Sequence, residues 1–329
     1  MSAGTPQFRY PPGIPSDGRG TVVTVGTFDG VHRGHRAVLD EIRARAAASG
    51  GRAVLLTFHP HPLTIVRPEI APRLLTTPDE KKEILAESGL DWAVFLRFTK
   101  ELSKLSPEEF VDAVLVDRLR VSELVIGYDH GFGRGRSGDA DTLRRIGARR
   151  GFAVDVVDPI EVGEEPVSST RIRKAVSEGR IDLAGSGLGR PYSFRGVVVR
   201  GEGRGAQLGF PTANLRVGYS RKLLPPAGIY AVRGVLRAGT FDGALHLGPR
   251  PTFRGSPPSI ELHLMDFDAE IYGEEIRVDL IQHLRPVLPF SGARALIRQM
   301  EKDVEEARAV LSEAGEAPFS DASSGSGGV

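Results

Sequence analysis

The hydrophobic rhythm of the chain changes once, near Gly185-Ser186-Gly187-Leu188-Gly189-Arg190-Pro191, and that change bounds the folds open to it. Before it, five apolar runs (Thr21–Val25, Arg52–Thr57, Trp92–Phe98, Glu123–Gly127, Ala153–Val157) alternate with stretches of helical spacing at His35–Ala48, Pro78–Ser88, Ser106–Arg118 and Asp141–Arg149. Apolar strands separated by helices predict a parallel sheet covered on both faces, with ligands bound at the carboxyl ends of its strands. After it come short alternating runs, Tyr192–Arg200, Ile229–Leu236, Ala244–Leu247, Ser259–Met265 and Glu275–Leu280, separated by Gly and Pro. That is the pattern of an antiparallel barrel or sandwich. A helical stripe of Leu296, Met300, Val304 and Leu311 follows. Two domains are expected, 1–187 and 188–312, with a Ser-, Gly- and Ala-rich tail over 313–329 that reads as disordered.

Composition removes several classes of function. The chain has no cysteine, so disulfides, thiolate metal sites and a cysteine nucleophile are excluded. A net charge of +1 in 329 residues gives no case for nonspecific attraction to nucleic acid or a membrane surface. No apolar run approaches the ~20 residues needed to span a bilayer, and the first twenty residues lack the apolar core of an export signal. The expectation is a cytoplasmic protein with no nucleic-acid or membrane partner, a monomer or weak homo-oligomer.

Where the first strand gives way to the first helix stands Gly26-Thr27-Phe28-Asp29-Gly30-Val31-His32-Arg33-Gly34-His35. A glycine-bearing turn into a helix exposes the unpaired N–H groups of the first helical turn, an anion site reinforced by the helix dipole. His32 and His35, three apart, would share one side of it and donate to charge developing on a phosphate. On spacing alone, the two histidines fit a capping role or a metal fragment nearly as well. Thr57-Phe58-His59-Pro60-His61-Pro62 follows the second strand, Gly127-Tyr128-Asp129-His130-Gly131-Phe132-Gly133 the fourth, and Val167-Ser168-Ser169-Thr170-Arg171-Ile172-Arg173 precedes a short helix. By itself Ser-Ser-Thr reads equally well as an N-cap.

The ten-residue string and these three segments together resemble the His-x-Gly-His nucleotidyltransferases, in the form found in prokaryotic bifunctional riboflavin kinase/FAD synthetases. The resemblance implies a Rossmann-like, doubly wound first domain that adenylylates FMN. His32 and His35 would bind phosphate oxygens near the α-phosphate, and Ser169, Thr170 and Arg173 would hold the outer phosphates and departing pyrophosphate, with Arg171 as a helper. Gly26, Phe28, Asp29, Gly34, His61 and Asp129 would line the nucleotide or flavin pocket. The family reads Gly-x-Asp-Phe-x-Phe-Gly, and His130 stands at its first aromatic position, where stacking by imidazole is weaker.

In the second half, Gly201-Glu202-Gly203-Arg204-Gly205 alone marks only a loop, but Gly209-Phe210-Pro211-Thr212-Ala213-Asn214 resembles the signature of riboflavin kinases. The resemblance implies a kinase-like β-barrel with a C-terminal helix. Gly203, Gly205, Gly209 and Pro211 would shape a nucleotide loop, and Thr212 and Asn214 would ligate Mg2+ with phosphate oxygens. Glu261, in Ser259-Ile260-Glu261-Leu262-His263-Leu264, would be the catalytic base, and His263 is expected at the surface. ATP, riboflavin, FMN and FAD are the implied substrates and products, with Mg2+ as cofactor. A kinase with an inactive first domain and a non-catalytic flavin-binding regulator are the alternatives.

Overall fold

A computed structural model of the chain describes residues 13–15, 17–128, 139–162, 165–201, 203–249 and 259–315. By contacts the chain divides into two units: residues up to Pro72 with Pro78–Val167, and Arg73–Thr77 with everything from Ser168 on.

The first unit alternates as its apolar runs predict. Strand β1 (Thr21–Gly26) leads to α1 (Arg33–Ser49), and β2 (Arg52–His59) to the short α2 (Pro62–Val66). Then α3 (Pro78–Ala86) precedes β3 (Trp92–Arg97), α4 (Pro107–Phe110) with its π-helical continuation Val111–Val116 precedes β4 (Val121–Gly127), and α5 (Ala140–Arg150) precedes β5 (Ala153–Val157). The five strands run parallel in the order β3-β2-β1-β4-β5. Alternate residues feed opposite faces. Val23, Val25, Val54, Leu56, Leu124 and Ile126 pack with Phe110, Val114 and Leu143 on one side. On the other, Val22, Ala53, Leu55 and Val125 pack with Val38, Leu39, Ile42 and Leu85. Strand order reverses between β1 and β4, the switch point outside which open α/β sheets bind ligands. A two-stranded β6 (Glu161–Val162) and β7 (Glu165–Pro166) close the unit.

The second unit begins with α6 (Ser169–Ser177) and α7 (Ile181–Leu188). The glycine-rich stretch at the expected domain boundary is therefore partly helix. Ile181, Ala184 and Leu188 form a buried stripe, and Gly189 at φ 68 caps it. Ser169–Arg173, expected before a helix, form its first half. The contact division falls at Val167/Ser168 because α7 packs on α6 and on the strands that follow.

Strands β8 (Tyr192–Val199), β9 (Ala213–Arg216), β10 (Gly228–Leu236), β11 (Gly239–Gly248), β12 (Ser259–Leu264) and β13 (Glu275–Arg285) close into an antiparallel barrel, with α8 (Arg204–Gln207) between β8 and β9 and α9 (Ala293–Glu313) on its outside. Ala307 and Leu311 of α9 pack against Ala231, Met265 and Ile281. Arg285 pins the helix with two bonds to Asp303, at 2.7 and 2.5 Å, and Gln299 adds a third at 2.9 Å. The strap Arg73–Thr77 lies along residues 220–223. Leu74 N–H donates to the Arg221 carbonyl at 2.8 Å, Leu223 N–H to the Leu74 carbonyl at 2.8 Å, and the buried Lys222 ammonium to the Leu75 carbonyl at 2.7 Å. Of the expected disordered tail, only 313–315 are described, and α9 runs to Glu313.

Candidate functional site

In the first unit the site grows from the turn after β1. Phe28 (φ 47), Gly30 (φ 83) and Val31 (φ 40) are all left-handed, and Val31 N–H closes the turn on the Phe28 carbonyl at 3.3 Å. Glycine adopts such angles freely, whereas each non-glycine costs on the order of 1–3 kcal/mol. His32 and His35 then form a reciprocal cap on α1. His35 N–H donates to His32 Nδ1 at 3.3 Å, and His32 N–H to His35 Nδ1 at 3.4 Å. Their rings stack at 3.6 Å, with Phe28 against His35 at 4.4 Å. Capping and phosphate binding, set against each other by the sequence, are here compatible. A ring whose Nδ1 accepts a backbone N–H carries its neutral proton on Nε2, where it is a donor.

The supporting residues are buried. Phe28 and Asp29 are 4% and 3% exposed, so they brace the turn from within. A Cβ on Gly26 would reach the Phe28 ring at 2.9 Å, and one on Gly34 would press the His32 ring at 3.3 Å. His61 repeats the device: it caps α2 by accepting from Leu63 N–H through Nδ1 at 3.2 Å. Burial, and then the charges of Lys81 and Lys82, hold the His59 pKa below its ordinary value. Asp129 and the glycine-rich 130–138 lie outside the described residues.

Ser168, rather than Ser169 or Thr170, is the N-cap of α6, accepting from Arg171 N–H at 3.2 Å. Ser169 and Thr170 thus occupy the first helical turn, where N–H groups lack helical partners. Arg173 Nε donates to the Arg73 carbonyl at 3.1 Å. By contacts these residues group with the second unit, and His32, His35 and His61 with the first.

The second site is a cavity at one end of the barrel. Register sets Asn214 opposite Glu261 and Glu261 opposite His246, a row across β9, β12 and β11. Thr212, two residues before Asn214, shares its face. Glu261 accepts from Ser259 Oγ at 2.7 Å and Thr212 Oγ1 at 3.4 Å, and His246 Nδ1 lies 3.9 Å from its carboxylate. Gly203 (φ 67) and Gly209 (φ 90) flank the short α8, after which Phe210 N–H donates back to the Gly205 carbonyl at 2.9 Å. A Cβ on Gly205 would crowd Thr212 Oγ1 at 2.9 Å, and Pro211 leads the chain from this loop to Thr212. Leu288, Phe290, Leu296 and Met300 complete an apolar far wall. His263, expected at the surface, lines this cavity with Nδ1 2.8 Å from the Pro211 carbonyl. Glu202 and 250–258 lie outside the described residues.

Two family models match in tandem: FAD synthetase over residues 14–171 and riboflavin kinase over 188–311. A bifunctional riboflavin kinase/FMN adenylyltransferase of Listeria monocytogenes is 39% identical over 292 residues, 88% of this chain and 91% of the relative. The chain belongs to the bifunctional riboflavin kinase/FMN adenylyltransferase family. A relative of the same name from Escherichia coli K12 is 37% identical over 291 residues, 88% of this chain and 92% of its own. A crystal structure described as a macrolide-efflux protein from Streptococcus pneumoniae superposes with a TM-score of 0.81 at 29% identity, covering 89% of this chain and 95% of that one. Among the described residues, no helix is long and apolar enough to cross a membrane.

Within the riboflavin kinase domain, sequence reasoning missed Ser259 and His246. Period-2 alternation places Ser259 on the Glu261 side of its strand, a signal that was available. His246 reaches Glu261 only through the β11–β12 register. In the FAD synthetase domain it missed Lys81, which sits in the charged run Asp79-Glu80-Lys81-Lys82-Glu83 and looks solvated on sequence grounds.

Proposed function

We propose that the chain makes FMN from riboflavin and ATP in its barrel and FAD from FMN and ATP in its parallel-sheet unit, with a functional boundary near residue 187. The observation that carries this reading is the pair of separate phosphate-suited features, the His32–His35 turn of the parallel-sheet unit and the row of Asn214 and Glu261 with Thr212 in the barrel, each on the segment its family pattern designates. In the barrel, Glu261 takes the proton of the ribityl 5′-hydroxyl as that oxygen bonds to the γ-phosphorus and the bond to the β-bridging oxygen breaks, releasing ADP. Ser259 aims the carboxylate. The apolar wall of Leu288, Phe290, Leu296 and Met300 suits a flavin ring.

For adenylyl transfer, a phosphate oxygen of FMN bonds to the α-phosphorus of ATP and pyrophosphate leaves, so the protein supplies positioning and charge stabilisation. His32 and His35 donate to the phosphate through Nε2. His61 faces the nucleotide or flavin. Ser169, Thr170 and Arg173, with Arg171, take the outer phosphates, and Asp129 contacts the flavin or nucleotide; these roles rest on the family pattern. The barrel's donors (a hydroxyl on Thr212, an amide oxygen on Asn214, a carboxylate nearby) are hard oxygens that suit Mg2+. Among the described residues no three His, Cys, Asp or Glu side chains gather to hold a metal without substrate. When bound with ATP, Mg2+ supplies neutralisation of triphosphate charge. The reading includes work in the cytoplasm on small molecules alone.

Incubation with riboflavin, ATP and Mg2+, followed by chromatography, should yield FMN first and then FAD. FMN without FAD would reduce the chain to a kinase, and neither product would leave only a flavin binder.

A further inference from the structure

Behind the His32–His35 turn lies a cation that the proposed chemistry does not use. Lys81, in the first turn of α3, is 8% exposed. Its ammonium donates to the Thr27 carbonyl at 2.9 Å and to Thr57 Oγ1 at 3.2 Å, and lies 5.6 Å from the centre of the Phe95 ring. Thr57 Oγ1 itself donates to the same Thr27 carbonyl at 3.0 Å. That oxygen is therefore where β1, β2 and α3 are tied together. The next residue is Phe28, the first of the three left-handed residues that turn the chain into His32. Conformations of this kind persist only where their surroundings over-determine them.

An ammonium is a costly way to fill space beside Phe95, since Lys is almost never buried unless paired. Its value lies in the two oxygens it holds, because charge-assisted bonds are about twice as strong as neutral ones. We propose that Lys81 is a positioning residue for adenylyl transfer, fixing the Thr27 carbonyl so that the strained turn presents His32 and His35 to the phosphate. The proposal rests on the first site being the adenylyltransferase.

The groups facing Lys81 are Asp29 from the turn, whose charge favours the ammonium, and His59 at the end of β2, with Asp79, Glu80 and Lys82 beside it on α3. Desolvation dominates and brings the Lys81 pKa down to about 8 from an ordinary value of 10.5. The enzyme before substrate binds thus loses this charge above about pH 8, and kcat/KM for ATP falls there. Bound triphosphate favours the ammonium, so kcat turns down at higher pH. Stability moves the other way. Between pH 8 and 10.5 the unfolded chain binds more protons than the folded one, so the first unit becomes more stable as its activity declines.

The test uses the full chain, following FMN adenylylation and riboflavin phosphorylation from pH 6.5 to 9.5. The emission of Trp92, the sole tryptophan, which lies on β3, reports folding of the first unit. Wild type should lose about fivefold in kcat/KM for ATP in FAD formation between pH 8 and 9, while Trp92 unfolding shifts to higher denaturant. Lys81→Arg should move that fall beyond the range. Lys81→Met should slow FAD formation at least about tenfold at pH 7.5, with phosphorylation of riboflavin unchanged.

A flat wild-type profile, a Lys81→Arg profile that keeps the fall, or a folded Lys81→Met enzyme within about threefold of wild type overturns the proposal. Should both variants lose the folded Trp92 signal, the wild-type profile decides. No FAD from FMN and ATP at any pH would instead sink the adenylyltransferase reading.

Discussion

The two sites are built by opposite means. In the parallel-sheet unit, function hangs on main-chain shape: a turn with three left-handed residues, two imidazoles spent on capping one another's backbone, and a buried ammonium on a carbonyl. In the barrel it hangs on register, with Asn214, Glu261 and His246 abreast on three neighbouring strands. A turn fails when any support behind it is removed. A ladder fails only where a rung is changed, because the strands hold their spacing regardless. Sensitivity in the first unit should therefore spread to residues remote from substrate, and in the second it should stay local.

The sharpest way to break this contrast is Glu261→Ala. Loss of a general base should slow riboflavin phosphorylation by about 10²–10⁴, while adenylylation of supplied FMN stays within about twofold of wild type. A parallel fall in both rates would show that the sites are not separable. His35→Ala is the counterpart: FAD formation should drop by about 10²–10³ as one phosphate donor and one cap are lost together, leaving FMN to accumulate from riboflavin.

A stability measurement comes next. Asp303→Ala leaves the Arg285 guanidinium without its bidentate partner at a site where Asp303 is 4% exposed, at a cost of about 3 kcal/mol to the barrel. Far-ultraviolet melting should show one lowered transition while Trp92 emission keeps its own. The mildest probe is Gly201→Ala, whose methyl would overlap the Asn214 amide. Displacing that rung without touching Glu261 should slow the kinase by roughly tenfold and leave the pH dependence of the remaining rate unaltered.

How much of this is legible in the sequence depends on the range over which each residue's fate is decided. Strands β1 and β2 are near-continuous apolar runs, buried on both faces, and local pattern suffices to find them. Four-residue β9 hides inside the Gly-rich motif, too short for alternation to register. Helix α7 is masked by Gly185 and Gly187, whose low propensity is overridden by burial of Ile181, Ala184 and Leu188. His32 and His35 could be read as phosphate-binding, but not their reciprocal capping, which follows from a turn no propensity favours. Lys81 is the extreme case. Nothing near it in sequence distinguishes it from Lys82, which is exposed and pairs with Asp79 at 2.9 Å; only the docking of α3 against the ends of β1 and β2 separates them.

The strap at Arg73–Thr77 bears on how the barrel can be cut out of this chain. Its contacts with residues 220 and 222 span 147 positions, so a fragment starting at the apparent boundary near 187 arrives without them. Such a fragment would expose the edge that Leu74 covers and deprive the Lys222 ammonium of the Leu75 carbonyl. Supplying residues 73–77 as a separate peptide, or as an amino-terminal graft on the excised barrel, would restore a missing strand partner rather than add a tag.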